Sequence, residues 1–479
     1  MKRTLASILA AVLLLAATPI FAAARGSADF TRFVALGDSY GAGVESGSLN
    51  ERHQPYSWPA IIARQAHAKD FVQPLVSYPG IGNELTLINA VAYPPVIQPA
   101  PGTGQPLNST FPRPYNNLSI PGANVTDLTT IKGNENPPNG TAQSYARFIL
   151  RGLGTPADQA LAQQPTFIAI WIGGNDLLGA VLSGTPKALT PVETFRTGYN
   201  ALLDRLVAGA PNAGIIVGNI PTNASSLPIA NTVPAVIINP ATRQPVLVGG
   251  APVPLIADLG NGTVGQLPAG SRVLLTAASK VGTGYGIPPQ LAAVPPFNAL
   301  PDAGKPLADS DVLTPAEITE IQARAVAFND IINTAASARN IPVVDIRGLF
   351  DRWTAGIAVG PYALNTAFVT GGLFSLDGFH LTDIGYTLFA NEYIKTINAN
   401  WNAHIPIASL SDFLVNNGAF RDDLGVVFTQ GTPFTMSSDA IATIRQFAAP
   451  VGARRLHSAT HDDATDSHGN SDATTRNQQ

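Results

Sequence analysis

The chain contains no cysteine, which excludes disulfides, thiolate metal sites, Fe–S clusters and a lipid-modified N-terminal cysteine. Charge is scarce as well: Asp, Glu, Lys and Arg make up 13% of its 479 residues, against about 25% in ordinary globular domains. The formal balance is −4, so the basic footprint of a nucleic-acid binder is missing. Past the N-terminal two dozen residues no long uninterrupted apolar run occurs, and no stable membrane span is expected there. What is plentiful is apolar side chain (45%), glycine (44) and proline (40). That composition supports a large core joined by many tight turns and rules out overall disorder, a coiled coil or collagen.

Lys2 and Arg3 precede an apolar stretch from Leu5 to Ala17, then Pro19 and Ala22-Ala23-Ala24. A charged start, an apolar middle and small residues at an Ala-x-Ala site read as an export leader over 1–24, cleaved before Arg25. An uncleaved anchor is the competing reading, because the apolar stretch approaches bilayer length. The chain is therefore expected outside the cytoplasm, in a bacterial periplasm or beyond the cell. Asn-x-Ser/Thr sequons stand at Asn108, Asn117, Asn124, Asn139, Asn223 and Asn261, and in such a host they are expected to be bare. From 451 to 479 the chain turns polar and is expected to be a disordered tail. One domain is expected over 25–450.

Four short apolar runs read as buried parallel strands: Phe33 to Leu36, Thr166 to Ile172, Ile215 to Val217 and Val343 to Ile346. Amphipathic helical segments lie between them. Thr155-Pro156, Thr190-Pro191 and Thr314-Pro315 each carry an acid at the third helical position, a repeated helix-start signal. Strands alternating with such helices predict a doubly wound α/β domain. Residues 91–115 hold many prolines and read as an irregular loop. Residues 222–312, rich in Pro, Gly and Val, are too long and apolar for a linker and read as a cap or lid. Within them Val236 to Ile238 and Val246 to Val248 are placed to pair as a hairpin.

Gly37-Asp38-Ser39-Tyr40 follows the first strand directly, which puts Ser39 where open α/β sheets bind ligands. Gly173-Gly174-Asn175-Asp176 follows the second strand in the equivalent place. Each alone reads equally well as a turn with a capping Ser or Asn. Asp377-Gly378-Phe379-His380 comes later, with a helix expected from about Thr382. A carboxylate three residues before a histidine can hold its Nδ1–H and leave Nε2 facing a serine. Of seven histidines, three (His457, His461, His468) lie in the polar tail, and a solvated tail outweighs a metal site there. His53 and His67 lack an acid at the right short spacing, so His380 is the base candidate and His67 the runner-up.

In this order the blocks Gly37-Asp38-Ser39, Pro121-Gly122-Ala123-Asn124, Gly173-Gly174-Asn175-Asp176 and Asp377-Gly378-Phe379-His380 resemble the GDSL esterase/lipase family, the SGNH hydrolases. The resemblance spans about 30–400, apart from most of 222–312. It implies a flavodoxin-like three-layer α/β/α sandwich around a parallel sheet. It implies Ser39 as nucleophile, Asp377 and His380 completing a triad, and an oxyanion hole from the Ser39 and Gly122 N–H groups and the Asn175 side chain. Asp38 and Asp176 are expected to make structural hydrogen bonds. No metal and no organic cofactor is implied. The one departure is Tyr40, where the family's name-giving motif has Leu. The expected activity is that of a secreted carboxylester hydrolase, an esterase or lipase taking a small-molecule or lipid ester. A carbohydrate deacetylase, a thioesterase and an inactive binding module remain the alternatives.

Overall fold

The computed structural model describes residues 23–88, 96–136, 138, 140–260, 262–360, 362–410 and 435–448. Residues 1–22 of the leader, the polar tail and the sequons Asn139 and Asn261 lie outside the described residues. No helix among those described is long and apolar enough to cross a membrane.

Four strands form the central sheet: β1 (Phe33–Gly37), β2 (Phe167–Trp171), β3 (Gly214–Gly218) and β4 (Val343–Val344). They are hydrogen-bonded in that order and all run parallel. Their side chains are buried on both faces except at Val343, which is why the sequence shows apolar runs rather than alternation. On the free edge of β1 the segment 116–120 runs alongside in parallel, with Leu118 N–H donating to Ala35 O (2.9 Å) and Ile120 N–H to Gly37 O (2.9 Å). In chain order the sheet therefore reads 2-1-3-4-5, the flavodoxin-like order, whose switch point lies beside the first strand.

Helices cover both faces. The short α1 (Ser39–Ala42) leaves β1; α2 (Trp58–Gln65) lies on one face, with α7 (Ile346–Ala355) and α8 (Asp383–Trp401). On the other pack α3 (Pro156–Ala162), α5 (Val192–Gly209) and α6 (Pro315–Ser337). The helix α4 (Asn175–Ser183) leaves β2, and α9 (Ser438–Arg445) closes the described chain.

Two of the three expected capping boxes are present, at Thr155 with Asp158 and at Thr314 with Glu317. The third is not: α5 starts at Val192 with Pro191 before it and no side-chain cap. Thr190 is held instead by the turn below, its N–H donating to Asp176 O (3.1 Å) and its carbonyl accepting from Arg324. The fourth strand is shorter than its apolar run. Asp345 caps α7 by accepting from Gly348 N–H (3.0 Å), so Ile346 begins a helix. The proline-rich stretch also contains a strand, Val96–Pro99, paired antiparallel with Leu85–Ile88.

The insertion builds a second small core of its own, with Ile237, Leu255, Val273, Phe297 and Val312 fully or nearly buried. The hairpin within it forms at its tip, where Ile238 bridges Pro245 and Val246 N–H donates to Ile237 O (2.9 Å), but Leu247–Val248 pair with Ala251–Pro252 and Val236 bridges Pro254 instead. Its first residues belong to the main domain, since Ile229 N–H donates to Gly378 O (2.9 Å) in the loop that carries His380.

Candidate active site

Three chain segments end at the same side of the sheet, at its switch point. β1 ends at Gly37, and the next residues are Asp38 and Ser39. The edge segment ends at Ile120, followed by Pro121 and Gly122. β2 ends at Trp171, followed by Gly173-Gly174 and Asn175. A parallel sheet thus gathers Ser39, Gly122 and Asn175 from three separate stretches of sequence.

Ser39 opens a one-turn helix whose N-cap is Asp38; that carboxylate accepts the Tyr40 N–H at 3.0 Å. Gly122 has φ +82°, which a residue with a side chain rarely adopts, and a Cβ there would stand 3.1 Å from Thr141. Among the described residues no backbone carbonyl accepts the N–H of Ser39 or of Gly122. The Asn175 side chain donates from Nδ2 to Ala123 O (2.8 Å), which fixes the amide beside the Gly122 turn. Two free amides and an oriented carboxamide beside a hydroxyl form a set of donors suited to a developing oxyanion.

The loop 377–380 supplies the other half. His380 Nδ1 meets Asp377 Oδ2 at 2.7 Å, and both side chains are fully buried. The same carboxylate accepts N–H bonds from Gly47 (2.5 Å), Phe379 (3.0 Å) and His380 itself (2.8 Å), with the Ser375 hydroxyl at 3.3 Å. Burial alone would raise the Asp377 pKa, but the His380 ring and these amides hold it below the ordinary carboxylate value. An ionised Asp377 fixes the proton on Nδ1 and leaves Nε2 as an acceptor. Nε2 is buried and, among the described residues, makes no hydrogen bond, so Ser39 Oγ is not bonded to it here. Such bonds commonly close only around substrate.

Tyr40, the departure from the usual motif, ties the two halves together. Its hydroxyl donates to the Phe379 carbonyl and its ring stacks on Trp171 (centroids 4.7 Å apart). Beside Ser39 and Asn175 opens a cavity of about 60 Å³. Its walls are apolar, from Trp171, Leu178, Ile220, Leu227, Phe350 and Phe379. Of the insertion only Ala224 and Leu227 reach it.

The chain matches the GDSL-like lipase/acylhydrolase family model over residues 33–393. It belongs to that family. A member is an ester-hydrolysing serine hydrolase, and the match carries all four sequence blocks within its bounds. No curated protein matches the chain. Among solved structures this GDSL-like hydrolase is similar to phospholipase A1 from Streptomyces albidoflavus NA297. They share 16% identity and a TM-score of 0.31, over 79% of this chain and 100% of that one. It is similar also to a family 3 carbohydrate esterase from Clostridium thermocellum (13%, TM-score 0.31, 78% and 98% covered). A third is an extracellular lipase from Streptomyces rimosus (14%, TM-score 0.31, 77% and 98% covered).

Of the other candidates, His67 is exposed at the end of α2 and His404 is exposed beyond α8. His53 has acids beside it that are not at triad spacing: Nδ1 lies 3.2 Å from Glu45 and from Asp383, and Nε2 lies 3.4 Å from Glu84. Burial opposes charge on this ring, but the carboxylates outweigh it and hold His53 protonated far above its ordinary range. Ligand atoms of Glu45, His53 and Asp383 lie within 4.8 Å of one another, a spacing that also suits a cation; here the imidazolium itself balances the acids. The cluster joins the strand ending at Glu45, two residues before the Gly47 amide on Asp377, to the start of α8 just after His380.

Asp38 and Asp176 do make structural bonds, Asp176 Oδ2 accepting the Val125 N–H at 3.0 Å. With Asp127 they form a group of buried carboxyls near the site. Burial pushes Asp38 well above its ordinary value, Asp127 up to about 7 and Asp176 up to about 6. A carboxyl raised in the folded state contributes stability that is present below its unfolded pKa and lost as pH climbs through the folded value. Asp127→Asn keeps an acceptor for the Asn124 N–H and removes the buried charge. It is expected to be more stable than the parent at pH 8, by about 1–3 kcal/mol, and nearly equal to it at pH 4. Urea unfolding at the two pH values checks this, and an unchanged difference would refute it. Of the sequons, Asn117 is buried with Nδ2 donating to Gly41 O (2.7 Å), and Asn124 Oδ1 accepts from Thr126. Both side chains are committed to the fold.

Proposed function

We propose that this GDSL-like hydrolase cleaves carboxylic esters of short acyl chains, with Ser39 as nucleophile, His380 as general base and Asp377 orienting it. The observation that carries the reading is the buried Asp377–His380 pair, with its bare Nε2, beside a cavity that opens at Ser39 and Asn175. Ser39 Oγ attacks the ester carbonyl while His380 Nε2 takes its proton. The oxyanion lies against the Ser39 and Gly122 amides and Asn175 Nδ2, each such donor being worth about 3 kcal/mol in the transition state. His380 then gives its proton to the leaving alkoxide, and water hydrolyses the acyl-enzyme by the same steps reversed in role.

The cavity size argues for short chains. By the measure in which one water needs about 10–15 Å³, 60 Å³ accepts a chain of a few carbons. Ethyl esters from acetate to decanoate, followed by proton release, are expected to show kcat/KM highest up to butyrate or hexanoate. A fall of about tenfold or more is expected by decanoate. A maximum at decanoate would overturn the short-chain reading, and hydrolysis of acetylated xylan with none of the ethyl esters cleaved would make the enzyme a carbohydrate deacetylase instead. The charged start, apolar stretch and Ala-x-Ala site of residues 1–24 support a further part of this proposal, that the enzyme acts outside the cytoplasm. The 222–312 insertion contributes Ala224 and Leu227 to the cavity wall.

A further inference from the structure

The segment 435–448 is remote in sequence from every catalytic motif, yet it ends on top of them. Thr435–Met436 adds a parallel strand to Val96–Pro99, and the Ser279 hydroxyl of the insertion bonds the Met436 N–H (2.9 Å) and carbonyl (2.8 Å). α9 follows, capped by Ser437 and tied by Arg445 to Asp311 (3.4 Å). The last turn then lies across the crevice. Gln446 Nε2 donates to the carbonyl of Gly47 (3.3 Å), the residue whose amide holds Asp377. The Gln446 carbonyl accepts from Thr141, the residue packed on Gly122. The same turn packs on α4, whose first residue is Asn175. Phe447 sets its ring edge-on to His380, with centroids 4.9 Å apart at 73°, and is 4% exposed.

A leaving oxygen must come within about 3 Å of Nε2 to receive its proton. The alcohol part of the ester therefore has to pass beside Phe447. The acyl part does not, because no residue of 435–448 lines the cavity at Ser39. Among the described residues the two sides of the scissile bond thus differ: one opens into a small apolar cavity, the other meets the ring of Phe447. We propose that Phe447 is the residue that sets leaving-group specificity, restricting the enzyme to esters of small alcohols. This rests on Ser39 and His380 acting as nucleophile and base. Phe447 touches the ring that does the chemistry and makes no bond to the reacting atoms.

The test holds the acyl group fixed as acetate and compares ethyl with naphthylmethyl ester, whose alkoxides are of similar basicity. In the full chain, kcat/KM is expected to fall at least about tenfold from ethyl to naphthylmethyl. Phe447→Ala should raise the naphthylmethyl-to-ethyl ratio of kcat/KM about tenfold. Phe447→Leu should fall between, and it carries the test if the alanine variant does not fold. Active enzyme is counted by fluorophosphonate labelling. A ratio in the folded variants equal to that of the parent would overturn the proposal and leave the esterase reading intact. A parent that neither labels nor cleaves the ethyl ester would overturn both.

Discussion

Ser39→Ala is expected to lower kcat by about 10⁵-fold or more and to abolish fluorophosphonate labelling, with the fold unchanged. The serine sits at the first position of α1, after its own cap at Asp38. Alanine is a good helix former, so removing the hydroxyl should cost less than about 1 kcal/mol. The helix turn itself is held by bonds the substitution does not touch, Ala42 N–H to Asp38 O (3.0 Å) and Gly43 N–H to Ser39 O (3.0 Å). Loss of activity with an unchanged melting curve would separate chemistry from stability. Labelling of the alanine variant at the parent level would remove Ser39 from the mechanism, whatever happened to the rate.

What could be read from the sequence follows the range of the interactions concerned. The strands at Phe33, Phe167 and Gly214 are apolar on both faces, and a parallel sheet covered on both sides leaves that mark in any short window. The capping boxes at Thr155 and Thr314 are formed within four residues, so their signal is local too. Asp377 and His380 are three residues apart, and their bond was legible for the same reason. Thr190 shows where local reasoning fails: the residues of a helix start are there, but Asp176 and Arg324 from elsewhere hold that threonine in another role. The surroundings of His53 left no local mark, because Glu45, Glu84 and Asp383 reach it from three separate parts of the chain. The reach of Tyr40 to Phe379 and the wall made by Phe447 belong to the same class. No periodicity or spacing records contacts such as Tyr40 with Phe379, Gly47 with Asp377 or Phe447 with His380, which join separate parts of the chain.

Asp377→Asn should lower kcat by about 10⁴-fold at neutral pH, and its pH profile should differ from that of His380→Ala. Asp377 accepts at both oxygens: His380 Nδ1 and the Gly47 amide on Oδ2, and two backbone amides on Oδ1. An asparagine must replace one oxygen with a donor. With Oδ1 kept for the backbone, the new N–H₂ group faces His380 Nδ1 and requires that nitrogen to accept. The ring proton then moves to Nε2, where a base is needed, so the serine cannot be deprotonated. The acid limb of kcat/KM reports an imidazole that must lose its proton before it can act. Asp377 is not its source, because a carboxyl held below its ordinary value stays ionised until the pH falls well under the histidine range. His53 is not its source either, because its carboxylate neighbours keep it protonated above that range. His67 and His404 are exposed on the surface. Asp127 and Asp176, pushed up to about 7 and about 6, titrate in the same range, so the variant assigns the limb: the parent profile should rise from acid pH to a plateau, and His380→Ala should lose that rise along with nearly all activity. Near-parent activity in His380→Ala, with the rise intact, would show that the base is another residue and that the Asp377–His380 bond serves the fold alone.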